Sequence, residues 1–178
     1  MPKKSEERRL ENIWGAISLA TVDKMEHAFA AATGRGPSAI AAITQISFEP
    51  GMSIERLRRV IALSHSATVR LVDQLVAEGL TRREASAGSD KRARSLTLTA
   101  EGMALLETAK AARRNTVEAA LDRLSPQERQ ALGGIIEKMF PALVAPGDDS
   151  EVVCRFCDDK VCPIERCPVP QHHQVTQT

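Results

Sequence analysis

The chain's four cysteines all fall within fourteen residues, spaced as Cys154-x2-Cys157-x4-Cys162-x4-Cys167. Thiols this close in sequence can close around one tetrahedral ion, and four thiolates complete a structural zinc shell. No glycine follows the cysteines, and the steps Cys162-Pro163 and Cys167-Pro168 are also a feature of iron–sulfur ligation. Zinc is the first expectation, an iron–sulfur cluster the second, and a metal-free thiol switch the third. His172 and His173 read as a solvated tail, because four thiols already fill one shell. The segment offers little apolar area besides Phe156 and a few valines, so ligation is expected to supply the energy that orders it. Its expected place is against the terminal helices, where it either senses metal and oxidant or serves as a structural clip.

A second group of residues has the chemistry of base and phosphate contact. Ser64, His65, Ser66, Val69 and Arg70 lie together in one short stretch, and Asp90, Lys91, Arg92 and Arg94 in another. Formal net charge is only +1, but Ser53 to Arg94 holds nine Lys/Arg against five Asp/Glu. A local positive excess of that kind attracts a polyanion even when the whole chain is near neutral. One Trp, four Phe and no Tyr leave too few aromatic platforms for a base-stacking single-strand binder.

The elements that must position these residues follow from periodicity and caps. Ser5 to about Ala32 reads as one long helix capped by Ser5, with Leu10, Ile13, Trp14, Ile17, Met25 and Phe29 at mainly helical spacing. Gly34, Gly36 and Pro37 interrupt it, and Ser38 to Ser47 forms a second helix that Pro50-Gly51 stops. Ser53 caps a short helix to about Ile61. Ser64 caps another from His65 to about Glu78, and Gly79 supplies a left-handed stop. Two helices joined by Ala62–Ser64 make a helix-turn-helix pattern. At about 100° per residue, Thr68, Leu71, Val72 and Leu75 share a buried face, while His65, Ser66, Val69, Arg70 and Asp73 share the other. Val69, apolar on that polar face, reads equally as an ordinary exposed valine or as a contact for a thymine methyl. Strands Leu80–Glu84 and Arg94–Leu98 flank a polar, charged tip at residues 85–93, which makes a wing. Thr99 caps a helix to about Leu124, and Ser125-Pro126-Gln127-Glu128 is a capping box that opens the next one.

The stretch Ser53 to Gly102 resembles the core of the MarR family of regulators. The resemblance lies in Ser64-His65-Ser66-Ala67 with Arg70-Leu71-Val72-Asp73, the Gly79-Leu80 exit, Asp90-Lys91-Arg92, and the restart Leu98-Thr99-Ala100-Glu101-Gly102. The helical layout extends it to about residues 5–144. It implies a mainly α winged helix-turn-helix fold with a small β-wing, and a homodimer joined by long N- and C-terminal helices. It implies paired recognition helices on a palindromic double-stranded DNA operator, transcriptional repression, and release by a small-molecule effector or oxidant. By the same resemblance Arg92 is the wing arginine that enters the minor groove, and Asp90 the acid that steadies the wing. Thr68-Val69 departs from the family's common Val-Thr, so no operator sequence is inherited. Proteins of this kind with a cysteine-rich C-terminal extension resemble this chain too.

The expected organisation is an N-terminal dimerisation helix (residues 1–36), a winged helix-turn-helix domain (37–99), C-terminal dimerisation helices (100–145), and a linker with the four-cysteine tail (146–178). Trp14 is expected in the dimer core. His27 reads as an ordinary helix-surface or interface residue before a ligand contact, and Lys3-Lys4 and Arg8-Arg9 as a solvated helix start. No apolar run is long enough for a secretory core or membrane span, so a cytoplasmic protein without a membrane partner is expected.

Two alternatives stand beside the DNA reading. One is a winged-helix module that binds another protein. The other is a thiol redox enzyme using Cys154 and Cys157. A redox Cys-x-x-Cys should open a helix within a βαβ unit, however, and here it follows a linker after a helical run. No nucleophile–base–acid spacing, phosphate loop or carboxylate pair occurs, so no enzyme is expected.

Overall fold

A computed structural model describes residues 2–85, 94–144, 150–158, 160–162, 165 and 167–169. The chain runs α1 (Pro2–Thr33), α2 (Pro37–Phe48), β1 (Met52–Ser53), α3 (Ile54–Val60), α4 (His65–Ala77), β2 (Thr81–Ala85) and β3 (Arg94–Leu98). It continues with α5 (Ala100–Leu121), α6 (Pro126–Met139), a 3₁₀ turn at Phe140–Leu143, and α7 (Ser150–Val153). The fold is mainly α with a small antiparallel sheet, as expected.

Local side-chain caps set most of these boundaries. The hydroxyls of Ser53, Ser64 and Thr99 accept from the backbone N–H of Arg56, Ala67 and Gly102, at 3.1, 3.3 and 3.0 Å. Each satisfies a helical N–H that has no partner within its own helix. Ser125 and Glu128 form a reciprocal capping box at α6. Gly79 takes φ +70° after α4, and the turn between α3 and α4 puts Ala62 at φ +54°. Most boundaries fall within one residue of the sequence reading, and two differ by more. Helix α1 starts at Pro2, so Ser5 lies inside it rather than capping it. Proline at the first helical position loses no hydrogen bond, and the helix runs through Ser5 unbroken. Helix α5 stops at Leu121, before the expected Leu124.

The sheet has strand order β1-β3-β2. Strand β2 pairs β3 from Thr81↔Leu98 to Ala85↔Arg94, and β1 pairs β3 at Met52↔Leu96 and Ser53↔Ser95. Gly51, at φ +96°, donates its N–H to Leu96 O at 2.8 Å and delivers the chain into β1. The sequence reading omitted β1, because two residues carry no period.

Ile43 and Ile46 of α2, Leu57 and Val60 of α3, Val72 and Leu75 of α4, Leu96 of β3 and Leu106 of α5 make one core. Phe29, Ile40 and Ala109 form a second cluster where α1, α2 and α5 meet. Thr68 is fully buried in α4, with its hydroxyl donating to Ser64 O at 2.9 Å. Elsewhere apolar side chains face outward. Leu10, Ile13, Ile17 and Val22 line the N-terminal part of α1, with Ile17 51% exposed, and Trp14 is 38% exposed. Helix α6 has no buried residue, and its Ile135 is 53% exposed.

The cysteine segment packs on the body more firmly than its composition suggested. The Phe156 ring lies 5.3 Å from that of Phe29 and touches both core clusters, and Val169 is buried. The contribution of apolar contact is therefore larger than expected, because Phe29 and Phe156, distant in sequence, meet only after folding.

Candidate nucleic-acid interface

Helix α4 divides its residues by depth. Thr68, Val72 and Leu75 are buried and Leu71 is half-buried against the core. Ser64, His65, Ser66, Arg70 and Asp73 are exposed, and Val69 is half-buried at their edge. Ser64 therefore caps the helix and also stands at the start of its outward face, 3.4 Å from the Ser66 hydroxyl. An exposed helix N-terminus with small polar side chains and an arginine one turn further on suits base edges and phosphate oxygens.

Ion pairs hold neighbouring elements to this face. Arg83 on β2 donates to Asp73 at 2.6 Å, joining the hairpin to α4. Glu55 on α3 accepts two hydrogen bonds from Arg58, at 2.7 and 3.1 Å, and lies 3.7 Å from His65 Nδ1. The bond from Arg58 holds the Glu55 carboxyl below the usual carboxylate range. Arg82 bridges Glu84 at 2.6 Å and the Thr97 hydroxyl at 3.1 Å across the hairpin. The sequence reading missed these pairings, since only helical i,i+3 spacing is visible there and just Glu55–Arg58 has it. Arg94 opens β3 opposite Ala85. Asp90, Lys91 and Arg92 lie outside the described residues, as do His172 and His173. His27 is exposed on α1.

The cysteines occupy a separate place. Cys154, Cys157, Cys162 and Cys167 all line one cavity of about 670 Å³, whose other walls come from α5 and α6. Lys110, Arg113, Arg114 and Arg129 contribute basic groups to it. The thiols influence one another's ionisation, Cys154 with Cys157 and Cys167, and Cys162 with Cys167 and Cys157. Cys157 is lowered to about 7, first by its bond with Cys154 and then by the Arg113 charge, against the effect of burial. Its partner Cys154 is pushed up for the converse reason, and burial with neighbouring thiols pushes Cys162 up. All four are free thiols, and among the described residues no three His, Cys, Asp or Glu side chains form a ready-made metal cage. No described helix is long and apolar enough to cross a membrane.

No protein-family model matches the chain. Solved structures do. The YusO protein from Bacillus subtilis superposes with a TM-score of 0.69 at 19% identity, covering 80% of this chain and 98% of its own. Wild-type MarR from E. coli, in its apo form, gives 0.60 at 19%, covering 71% and 96%. A single-site mutant of MepR from S. aureus, solved bound to an oligodeoxyribonucleotide, gives 0.58 at 16%, covering 75% and 97%. The fold is thus that of MarR-like winged-helix proteins.

Proposed function

We propose that this MarR-like winged-helix protein is a dimeric, sequence-specific double-stranded DNA-binding regulator of transcription, acting as a repressor. The observation that carries the reading is the polar N-terminal face of α4, exposed beside a hairpin that Arg83–Asp73 ties to it. In this reading the α4 start enters the major groove, with Ser64, His65, Ser66 and Arg70 over base edges and backbone, and Val69 at the rim. Lys91 and Arg92 of the wing reach the neighbouring groove, with Arg94 at the wing's base and Asp90 steadying the tip. A MepR neighbour of the same fold was solved on DNA, which supports this use of the architecture.

The outward apolar side chains of α1 and α6 support a homodimer, since they present more apolar surface than a lone winged helix needs. Two α4 helices related by a two-fold axis would read an imperfect palindrome with half-site centres about 10 bp apart. Occupying such an operator is the proposed route to repression, and a small-molecule effector the proposed release.

Selection of bound fragments from a random duplex pool is expected to enrich a two-fold symmetric sequence, with a dimer in sedimentation at micromolar concentration. A pool without enrichment, or a monomer throughout, would refute the reading. Arg92→Ala is expected to weaken binding to the selected sequence by about 1–3 kcal/mol with the circular dichroism unchanged. Undiminished affinity would remove Arg92 from the contact.

A further inference from the structure

We infer that Cys154, Cys157, Cys162 and Cys167 hold one thiophilic metal centre against α5, and that this centre locks a strap running from α1 and α5 to α3. The donor set is the first ground. The four thiols line a single cavity although they are spread over fourteen residues. Binding an ion would draw them from this arrangement, which is not a ready-made cage among the described residues, into one shell. A tight turn, with Cys157 N–H donating to Cys154 O at 2.8 Å, brings the first pair together. A second turn, with Cys162 N–H donating to Asp158 O at 2.9 Å, carries the chain back towards them. Four neutral thiols lining one cavity gain little from one another, and as thiolates they repel. A cation resolves both conditions, releasing the thiol protons to solvent as it binds.

Charge is the second ground. A divalent ion with four thiolates, or a four-iron cluster in its common oxidised state, carries a net charge of about −2. The cavity lining carries Lys110, Arg113, Arg114 and Arg129 against Glu118, Glu137 and Asp158. Lys110 is paired to Asp158 and Arg129 to Asp122, so a small net positive charge, with Arg113 nearest in effect to Cys157, faces the centre. Zinc and an iron–sulfur cluster share this all-thiolate chemistry, and metal analysis tells them apart.

The third ground is where the segment is anchored. Just before the first cysteine, Glu151 on α7 pairs with Arg56 on α3, which also holds Glu49 at 3.1 Å. Between the first two cysteines, Phe156 packs on Phe29 of α1, under the Arg155 guanidinium at 5.0 Å. Directly after Cys157, Asp158 bonds Lys110 of α5 at 3.0 Å. The ligands are thus interleaved with side chains that grip α1, α3 and α5. Closing the thiols around an ion fixes the spacing of these grips, and α3 is the helix that supports α4 in the DNA-reading unit.

The test uses the full chain, purified without oxygen and with thiols reduced. Metal analysis is expected to find about one zinc per chain, or iron with matching inorganic sulfide. After metal removal, titration with Co²⁺ should produce the thiolate charge-transfer and visible bands of a tetrahedral four-sulfur site at one equivalent. Cys154→Ser and Cys167→Ser should each weaken Co²⁺ binding by more than the roughly 10–100-fold typical of losing an outer-shell partner. Hydrogen exchange should slow on adding Zn²⁺ both in residues 150–158 and in α3. Glu151→Gln should abolish the α3 response while leaving the cobalt spectrum intact. Absence of cobalt bands in fully reduced protein, or Cys→Ser variants that bind as well as the parent, would overturn the site. An α3 response absent in the parent, or undiminished in Glu151→Gln, would overturn the strap.

Discussion

Replacing Gly102 by alanine is expected to cost about 3 kcal/mol or more and to lower the thermal midpoint by on the order of 10 °C. Gly102 is in the first turn of α5, where the helix start presses on the end of the α4–β2 connection. A Cβ built there would lie 2.0 Å from Leu80 O and 3.0 Å from Leu80 C. Both are backbone atoms, so no side-chain rotation relieves the overlap. Leu80 O also accepts from Thr99 N–H at 3.2 Å, and the Thr99 hydroxyl donates to Gly79 O at 2.6 Å while capping Gly102 N–H. Shifting α5 outward by the required ångström or more would break this joint and disturb the β2–β3 hairpin with it. Alanine's intrinsic advantage in a helix is about 1 kcal/mol, too small to offset the clash. Thermal unfolding followed by circular dichroism measures the difference, and a midpoint within two degrees of the parent would show that the contact is not as close as described.

Arg70→Glu should reduce affinity for the selected operator by about 1,000-fold, or roughly 4 kcal/mol, while leaving stability within about 0.5 kcal/mol. Arg70 is exposed on the outward face of α4, one turn beyond Ser66. Losing one arginine contact costs about 1–3 kcal/mol, and reversal adds repulsion from the phosphates. A symmetric dimer carries the change at both half-sites, which roughly doubles it. The salt dependence should fall as well, its slope dropping by about two for a dimer. Titration of labelled operator at several salt concentrations measures both. Equal affinity with a folded variant would mean that α4 is not the reading helix.

Much of the fold was legible because it is written in local chemistry. Ser53, Ser64, Thr99 and Ser125 each satisfy an amide about three residues away, and Gly79 stops α4 through its own backbone freedom. Periodicity likewise separated the buried Thr68, Val72 and Leu75 from the exposed Ser66, Arg70 and Asp73, because a helix turns at a fixed rate whatever it packs against. Ser5 shows the limit of such reasoning, since a residue able to cap does so only if the helix starts there, and Pro2 lets it start earlier.

What the tertiary structure alone decided involves partners far apart in the chain. Strand β1 exists because β3, over forty residues later, offers Met52 and Ser53 a ladder. Gly102 looks like one more helix residue until Leu80 O is placed against it. The spacing of the cysteines already suggested one shared centre. The cavity wall from α5 and α6, the Phe156–Phe29 contact and the Glu151–Arg56 grip on α3 did not follow from it. Such contacts depend on how packed helices bring distant side chains together, and no local rule of spacing encodes that.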